Sequence, residues 1–164
     1  MLLRAFARLR AKREARLLVI GKHQDARKTA KRIATLRAAS AKLGIANDVD
    51  FPGFSPNPFA WMARAAVLAV ASRHEGFCNV IAEALAAGCP VVSTDCPSGP
   101  AEILDHGGYG RLVPVGDDAA MAEALAATLD QPADPEPLRR RAELFSLARG
   151  VDGYERLLFE PLES

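Results

Sequence analysis

The chain has 164 residues, 49% of them hydrophobic and 25% charged, with a net charge of +1. That suffices for one domain with a real core, and the composition is that of an ordinary globular protein. No apolar run approaches the roughly 20 residues that span a bilayer, and Cys78, Cys89 and Cys96 lack metal-type spacing and read as reduced thiols.

In chain order, residues 1–10 predict a helix with Leu2, Phe6 and Leu9 on one face. The same stretch is Arg-rich and acid-free, like an organelle transit peptide. An apolar strand at 17–20 follows too closely for a cleavable leader, so the helix is read as part of the fold. Gly21 ends that strand. A long helix is expected over 24–43, with Ala30, Ile33, Leu36 and Leu43 along one side and Gly44 as its stop. A brief strand at 48–51 is broken by Pro52-Gly53. Residues 58–65 form a short helix carrying Trp61, and 66–71 a second buried strand. A helix over 79–87 closes at Gly88, and a strand follows at 90–93. Pro100, after Ser98-Gly99, sits where a first-turn proline belongs. A last strand at 110–113 leads to a helix at 119–129, with Asp117 and Asp118 at its start. Residues 131–137 read as a linker before C-terminal helices at 138–144 and 147–158.

Strands alternating with helices predict an α/β fold: a Rossmann-like parallel sheet with helices on both faces, in one domain spanning 1–164. Ligands of such sheets bind at the carboxyl ends of the strands.

The small net charge hides an asymmetry. Residues 1–43 hold thirteen Lys/Arg against two acids, Glu14 and Asp25; the remainder holds eight against eighteen. A basic segment can attract anionic lipid, nucleic acid or a phosphorylated ligand, and it can equally be a pair of helices with solvated outer faces, which is the more ordinary reading. Without zinc-finger spacing or aromatic residues interleaved with basic ones, nucleic acid is not expected as a partner. For peripheral contact with a membrane, Arg4, Arg8, Lys12 and Arg16 are the first residues to test.

The most informative stretch is Ser72–Glu83. Two carboxylates, Glu75 and Glu83, bracket a turn that leaves a strand and opens a helix. A helix N-terminus presents unpaired N–H groups and partial positive charge, which suits a phosphate. A carboxylate one turn further in can accept hydrogen bonds from two neighbouring hydroxyls, as an acid does with ribose in dinucleotide folds. Phosphate, ribose and a further polyhydroxyl group together point to a nucleotide sugar.

That segment resembles the donor-binding half of GT-B glycosyltransferases, and in particular the retaining family 4-like enzymes (glycosyl transferases group 1). Their hallmark is Glu, seven residues, then Glu, with a Gly-Phe type turn after the first; here Glu75-Gly76-Phe77 and Glu83 match it. The stretches Ala84–Asp95, Cys96–Leu104 and Gly107–Asp117 match the family's following helix, loops and strands. The resemblance implies transfer of a sugar from a nucleotide-diphosphate sugar to an acceptor hydroxyl with retention, with no metal and no cofactor beyond the donor substrate. It implies that Glu75 orients the donor sugar and is the catalytic carboxylate. Glu83 would hold the ribose hydroxyls. Gly76 would allow close backbone approach, and the amides of Phe77, Cys78 and Asn79 would hold the β-phosphate and sugar hydroxyls. Glu75 has a second reading as an acid capping the next helix, and Glu83 as a solvent-facing helix residue. Cys78 is assigned no redox or nucleophilic role. His74, His23 and His106 look incidental, and Asp95 and Glu102 read as caps rather than as a hydrolytic pair.

Two departures from the family pattern stand out. Family enzymes carry the acceptor site on an N-terminal half that has no counterpart here. Their donor domain also opens with a strand ending in Gly-Arg, followed by a Lys; residues 1–6 align after that point, so the strand and both cations are missing, with Lys22 a candidate substitute. In this fold's strand order the missing strand is central. The expected partners are therefore the nucleotide sugar and an acceptor-domain chain or N-terminal domain. The expected location is cytoplasmic, including the inner face of the membrane. A module that binds nucleotide sugar or a partner without turnover is the alternative, and a different doubly wound protein sharing only the architecture is a third reading.

Overall fold

A computed structural model describes residues 1–21 and 25–159. The elements run α1 (Leu2–Arg10), β1 (Leu17–Ile20), α2 (Ala26–Lys42), β2 (Val49–Gly53), α3 (Pro58–Met62), β3 (Leu68–Val70), α4 (Asn79–Ala86), β4 (Val91–Thr94), α5 (Pro100–Ile103), β5 (Arg111–Val113), α6 (Asp118–Asp130), α7 (Pro135–Glu143) and α8 (Leu147–Phe159). The expected Rossmann-like α/β architecture is present.

All strand pairing is parallel. β4 lies between β3 and β5, in register Ala69↔Val92 and Val92↔Arg111. β1 pairs with β2, Leu17 opposite Val49. The two groups are not hydrogen-bonded to each other, and in the strand order expected of a doubly wound sheet the break falls between β1 and β3. In the order 3-2-1-4-5-6 of doubly wound folds, that is the place of the central strand.

The sheet's two faces carry different helices. Alternate strand residues point to opposite sides, and β4 shows it: Val91 enters one apolar cluster and Val92 the other. The first cluster joins Ile81, Ala84 and Leu85 of α4 to Ile103 of α5 and to Leu138 and Ala142 of α7. The second joins Ala5, Phe6 and Leu9 of α1 to Met121 and Leu125 of α6, with Leu17, Val49 and Ala69 from the strands. Both parts of the sheet line this second core, which holds them in one body across the interruption. Ile81 and Leu85 are fully buried, each contributing about 1.5–3 kcal/mol relative to exposure.

Several boundaries shift for local reasons. The expected linker at 131–137 is shorter, because Asp134 accepts from the Glu136 N–H as N-cap and Pro135 occupies the first turn of α7. Asp117 caps α6 through the amides of Ala119 and Ala120, so that helix begins at Asp118. Asp25 caps α2. The helix expected over 58–65 ends at Met62, and the strand expected over 66–71 is confined to Leu68–Val70. Lys22, His23 and Gln24 lie outside the described residues.

Candidate functional site

Residues 71–78 carry the chain from the carboxyl end of β3 into α4. The Thr94 hydroxyl, at the end of β4, donates to the Ser72 carbonyl at 2.6 Å. The Ser72 hydroxyl in turn donates to Oε1 of Glu75. Glu75 is thus held from the sheet side and half-buried. It does not cap α4: the N-cap position belongs to Cys78, and no side chain bonds there.

Cys78 adopts the left-handed conformation (φ 65°, ψ 57°), uncommon for a residue with a Cβ. The backbone N–H groups of Phe77, Cys78 and Asn79 have no acceptor among the described residues. Free donors at the start of a helix of 8 residues form a positive end for an anion. Burial pushes the Cys78 thiol up to about 11, with the neighbouring Glu75 charge adding to the shift. At neutral pH it is a protonated, unreactive thiol.

The loop after β4 closes against this turn. Gly99 has φ 84° and ψ −68°, and a Cβ there would lie 2.5 Å from the Phe77 carbonyl oxygen. Only glycine lets the two loops approach this closely.

Glu83 lies on the second turn of α4, half-buried, its carboxylate with no hydrogen-bond or ion-pair partner among the described residues. It lines an open cavity of about 470 Å³ together with Phe77 and Asn79 from the turn, Phe59 of α3, and Arg139 and Phe145. Phe77 and Phe145 meet edge to face, ring centres 5.6 Å apart.

The profile of the family described as "Glycosyl transferases group 1" matches residues 1–131. The chain belongs to this family. It is 35% identical over 132 residues to the N-acetylgalactosamine-N,N'-diacetylbacillosaminyl-diphospho-undecaprenol 4-alpha-N-acetylgalactosaminyltransferase of Campylobacter jejuni, covering 79% of this chain and 33% of that protein. It is 32% identical over 168 residues to the MMP alpha-(1->4)-mannosyltransferase of Mycolicibacterium hassiacum, covering 96% of this chain and 39% of that protein. Its fold matches the pneumococcal O-GlcNAc transferase GtfA, solved with UDP and GlcNAc, at a TM-score of 0.75 and 20% identity, covering 99% of this chain and 33% of that one. The chain therefore spans between a third and two fifths of the length of these relatives.

In this group 1 glycosyl transferase domain, the expected site residues divide. Phe77, Asn79 and Glu83 share the cavity; Glu75 and Gly76 stand at the turn outside its lining, as does Cys78, which is buried. An added Cβ at Gly76 meets nothing within 4 Å, so its surroundings are open. His74 is exposed. Asp95 and Glu102 are exposed and neither caps α5, whose N-cap is Gly99. Ser72 and Thr94, which hold Glu75, went unrecognised in the sequence, as did the approach of Gly99; Ser98-Gly99-Pro100 signalled a helix start but not what the glycine would touch. Arg139 and Phe145 carried no local signal, because only tertiary packing brings them to Glu83.

Proposed function

We propose that this chain is the donor-binding half of a retaining glycosyltransferase, taking a nucleotide-diphosphate sugar and delivering the sugar to an acceptor hydroxyl. The observation that carries this reading is the turn 75–79: unbonded N–H groups at the mouth of α4, flanked by two half-buried carboxylates with seven residues between them, at the carboxyl end of a parallel strand. In the reaction, the bond from the anomeric carbon to the diphosphate breaks and its electron pair leaves on the phosphate oxygen. The acceptor oxygen bonds to the same face, and its proton ends on the departing diphosphate. The amides of Phe77, Cys78 and Asn79 stabilise the charge that develops there without a metal. Glu75, steadied by Ser72, orients the sugar; Glu83 holds the ribose hydroxyls.

The name of one relative of this chain specifies a diphospho-undecaprenol substrate. A lipid-linked or polysaccharide acceptor on the cytoplasmic side of a membrane fits that company. The partner this reading calls for is an acceptor-binding half, as an N-terminal domain or a separate chain. The interrupted sheet favours one further reading, a module that holds nucleotide sugar without turnover.

Calorimetric titration with UDP and GDP sugars tests the site. Binding by the wild-type chain and its loss in Glu83→Ala are expected; unchanged affinity in that variant would remove the ribose assignment. Transfer assayed with and without an acceptor-half chain separates the two readings: turnover only in its presence supports the transferase half, and none in either case supports the binding module.

A further inference from the structure

The thirteen cations of residues 1–43 are not equivalent. The arginines of α1 and the segment after it are spent on acids, whereas Lys12 there is exposed and without an ion pair among the described residues. Arg4 and Arg8 both reach Asp118 at 2.8 Å, Arg13 reaches Asp130 at 2.6 Å, and Arg16 reaches Asp50 at 2.7 Å. Arg10 lies 3.1 Å from Asp48. The acids that follow α2 in sequence, Asp48 and Asp50, are thus already engaged by arginines that precede it.

α2 is different. Its 17 residues contain six cations and no acid. Arg37 sits over the Phe51 ring. The other five, Arg27, Lys28, Lys31, Arg32 and Lys42, are exposed and have no ion pair among the described residues. The helix turns toward the protein with Thr29, Ile33, Leu36 and Ser40, which are half-buried or buried. At about 100° per residue the five free cations fall within roughly 140° on the opposite side. Between and beside them stand Ala34, Thr35, Ala38 and Ala41, all short and exposed. Among the described residues, the acid at that element is Asp25, bonded to the helix's own first amides.

We infer that the outer face of α2 is a docking surface for an anionic membrane. Long cationic side chains standing above a floor of alanines meet a plane of lipid phosphates together, over a length of about 25 Å. A nucleic acid is the poorer fit: the face has no aromatic ring to stack on a base and no Asn or Gln to read one. The inference is independent of the sugar-transfer reading, since none of these residues belongs to the Glu75–Glu83 site. Of Arg4, Arg8, Lys12 and Arg16, the first candidates for membrane contact, three are engaged by acids, and the contact shifts to α2, five of whose cations have no ion pair among the described residues.

The test is co-sedimentation of the full chain with vesicles of phosphatidylcholine alone or mixed with phosphatidylglycerol. Binding to the mixed vesicles that weakens as salt rises is expected. Arg27→Gln with Arg32→Gln lowers the partition coefficient about 25-fold, at roughly fivefold per cation near the surface. Arg140→Gln with Arg149→Gln changes net charge equally, at exposed positions on α7 and α8, and lowers it no more than about threefold. Gln is a good helix former, and an unchanged circular dichroism spectrum confirms that α2 persists. Equal binding to both vesicle types overturns the inference. So does an equal loss in the two double variants, and so does displacement of the protein from vesicles by duplex RNA at equal phosphate concentration.

Discussion

Gly99→Ala links backbone geometry to the candidate site most directly. Gly99 occupies φ 84°, ψ −68°, a strained turn conformation that costs a residue with a Cβ about 1–3 kcal/mol. The new methyl would also sit 2.5 Å from the Phe77 carbonyl oxygen and 2.8 Å from its carbon. Backbone cannot swing aside as a flexible side chain does, so the turn must shift, at about 1–3 kcal/mol more. The total of about 2–6 kcal/mol is a large part of a typical domain's 5–15. Gly116→Ala is the control: φ is 90° there, but an added Cβ meets nothing within 4 Å, leaving about 1–2 kcal/mol of backbone cost. Urea unfolding of both variants isolates the steric part as their difference. Because the displaced atoms include the Phe77 backbone, UDP-sugar affinity of the folded fraction falls in Gly99→Ala and holds in Gly116→Ala. Equal destabilisation of the two variants would refute the steric argument, and intact affinity in Gly99→Ala would detach Phe77 from the ligand.

Glu83→Ala removes a side chain with no partner among the described residues, so stability changes by no more than about 0.5 kcal/mol. Nucleotide affinity, read by calorimetry, drops roughly 10- to 150-fold, as expected of hydrogen bonds to a charged group. Leu85→Ala, at a fully buried position in α4, costs about 2–5 kcal/mol in the same urea assay. Hydrogen bonds from Arg8 and Arg4 hold the Asp118 carboxyl down to about 2 from its ordinary 3.8. A depressed acid contributes stability above its unfolded value and loses it as pH falls, so the α1–α6 tie weakens between pH 3.8 and about 2. Melting temperature followed across that range falls less steeply in Asp118→Asn.

The fold was legible wherever hydrophobic period and punctuation agreed. The apolar run at 17–20, the Gly88 stop and the strand expected at 90–93, found at 91–94, each rest on local chemistry that tertiary packing shifted by one residue at most. Boundaries failed where a cap outranked composition: Pro135 and Pro137 look like linker residues, yet Asp134 makes the first of them a helix start. The site was legible as a motif and illegible as a network. Glu75 and Glu83 announce themselves by spacing, whereas the Thr94–Ser72–Glu75 relay joins residues 22 apart through the pairing of β3 with β4. No window of sequence encodes such a pairing. Arg139 likewise reaches the cavity of Glu83 only because α7 packs on α4.

The interruption between β1 and β3 bears on chemistry as well as on architecture. In doubly wound sheets the ligand crevice opens beside the central strand, where the connections diverge to either face. Here the turn carrying Glu75 leaves β3, one of the two strands bordering the interruption. The groups presented to a diphosphate from this side are the three amides at the mouth of α4 and two carboxylates, and carboxylates repel the charge that develops on the leaving group. Amides alone stabilise it incompletely; removal of a single good donor typically costs a hundredfold or more in rate. Binding and turnover thus make unequal demands on this chain. In the proposed reading, Glu83 and Glu75 supply the acceptors that ribose and sugar hydroxyls need, whereas expulsion of the diphosphate calls for positive charge that neither of them brings. On that reading, affinity for the nucleotide sugar rests on Glu83 and Glu75 more directly than turnover does.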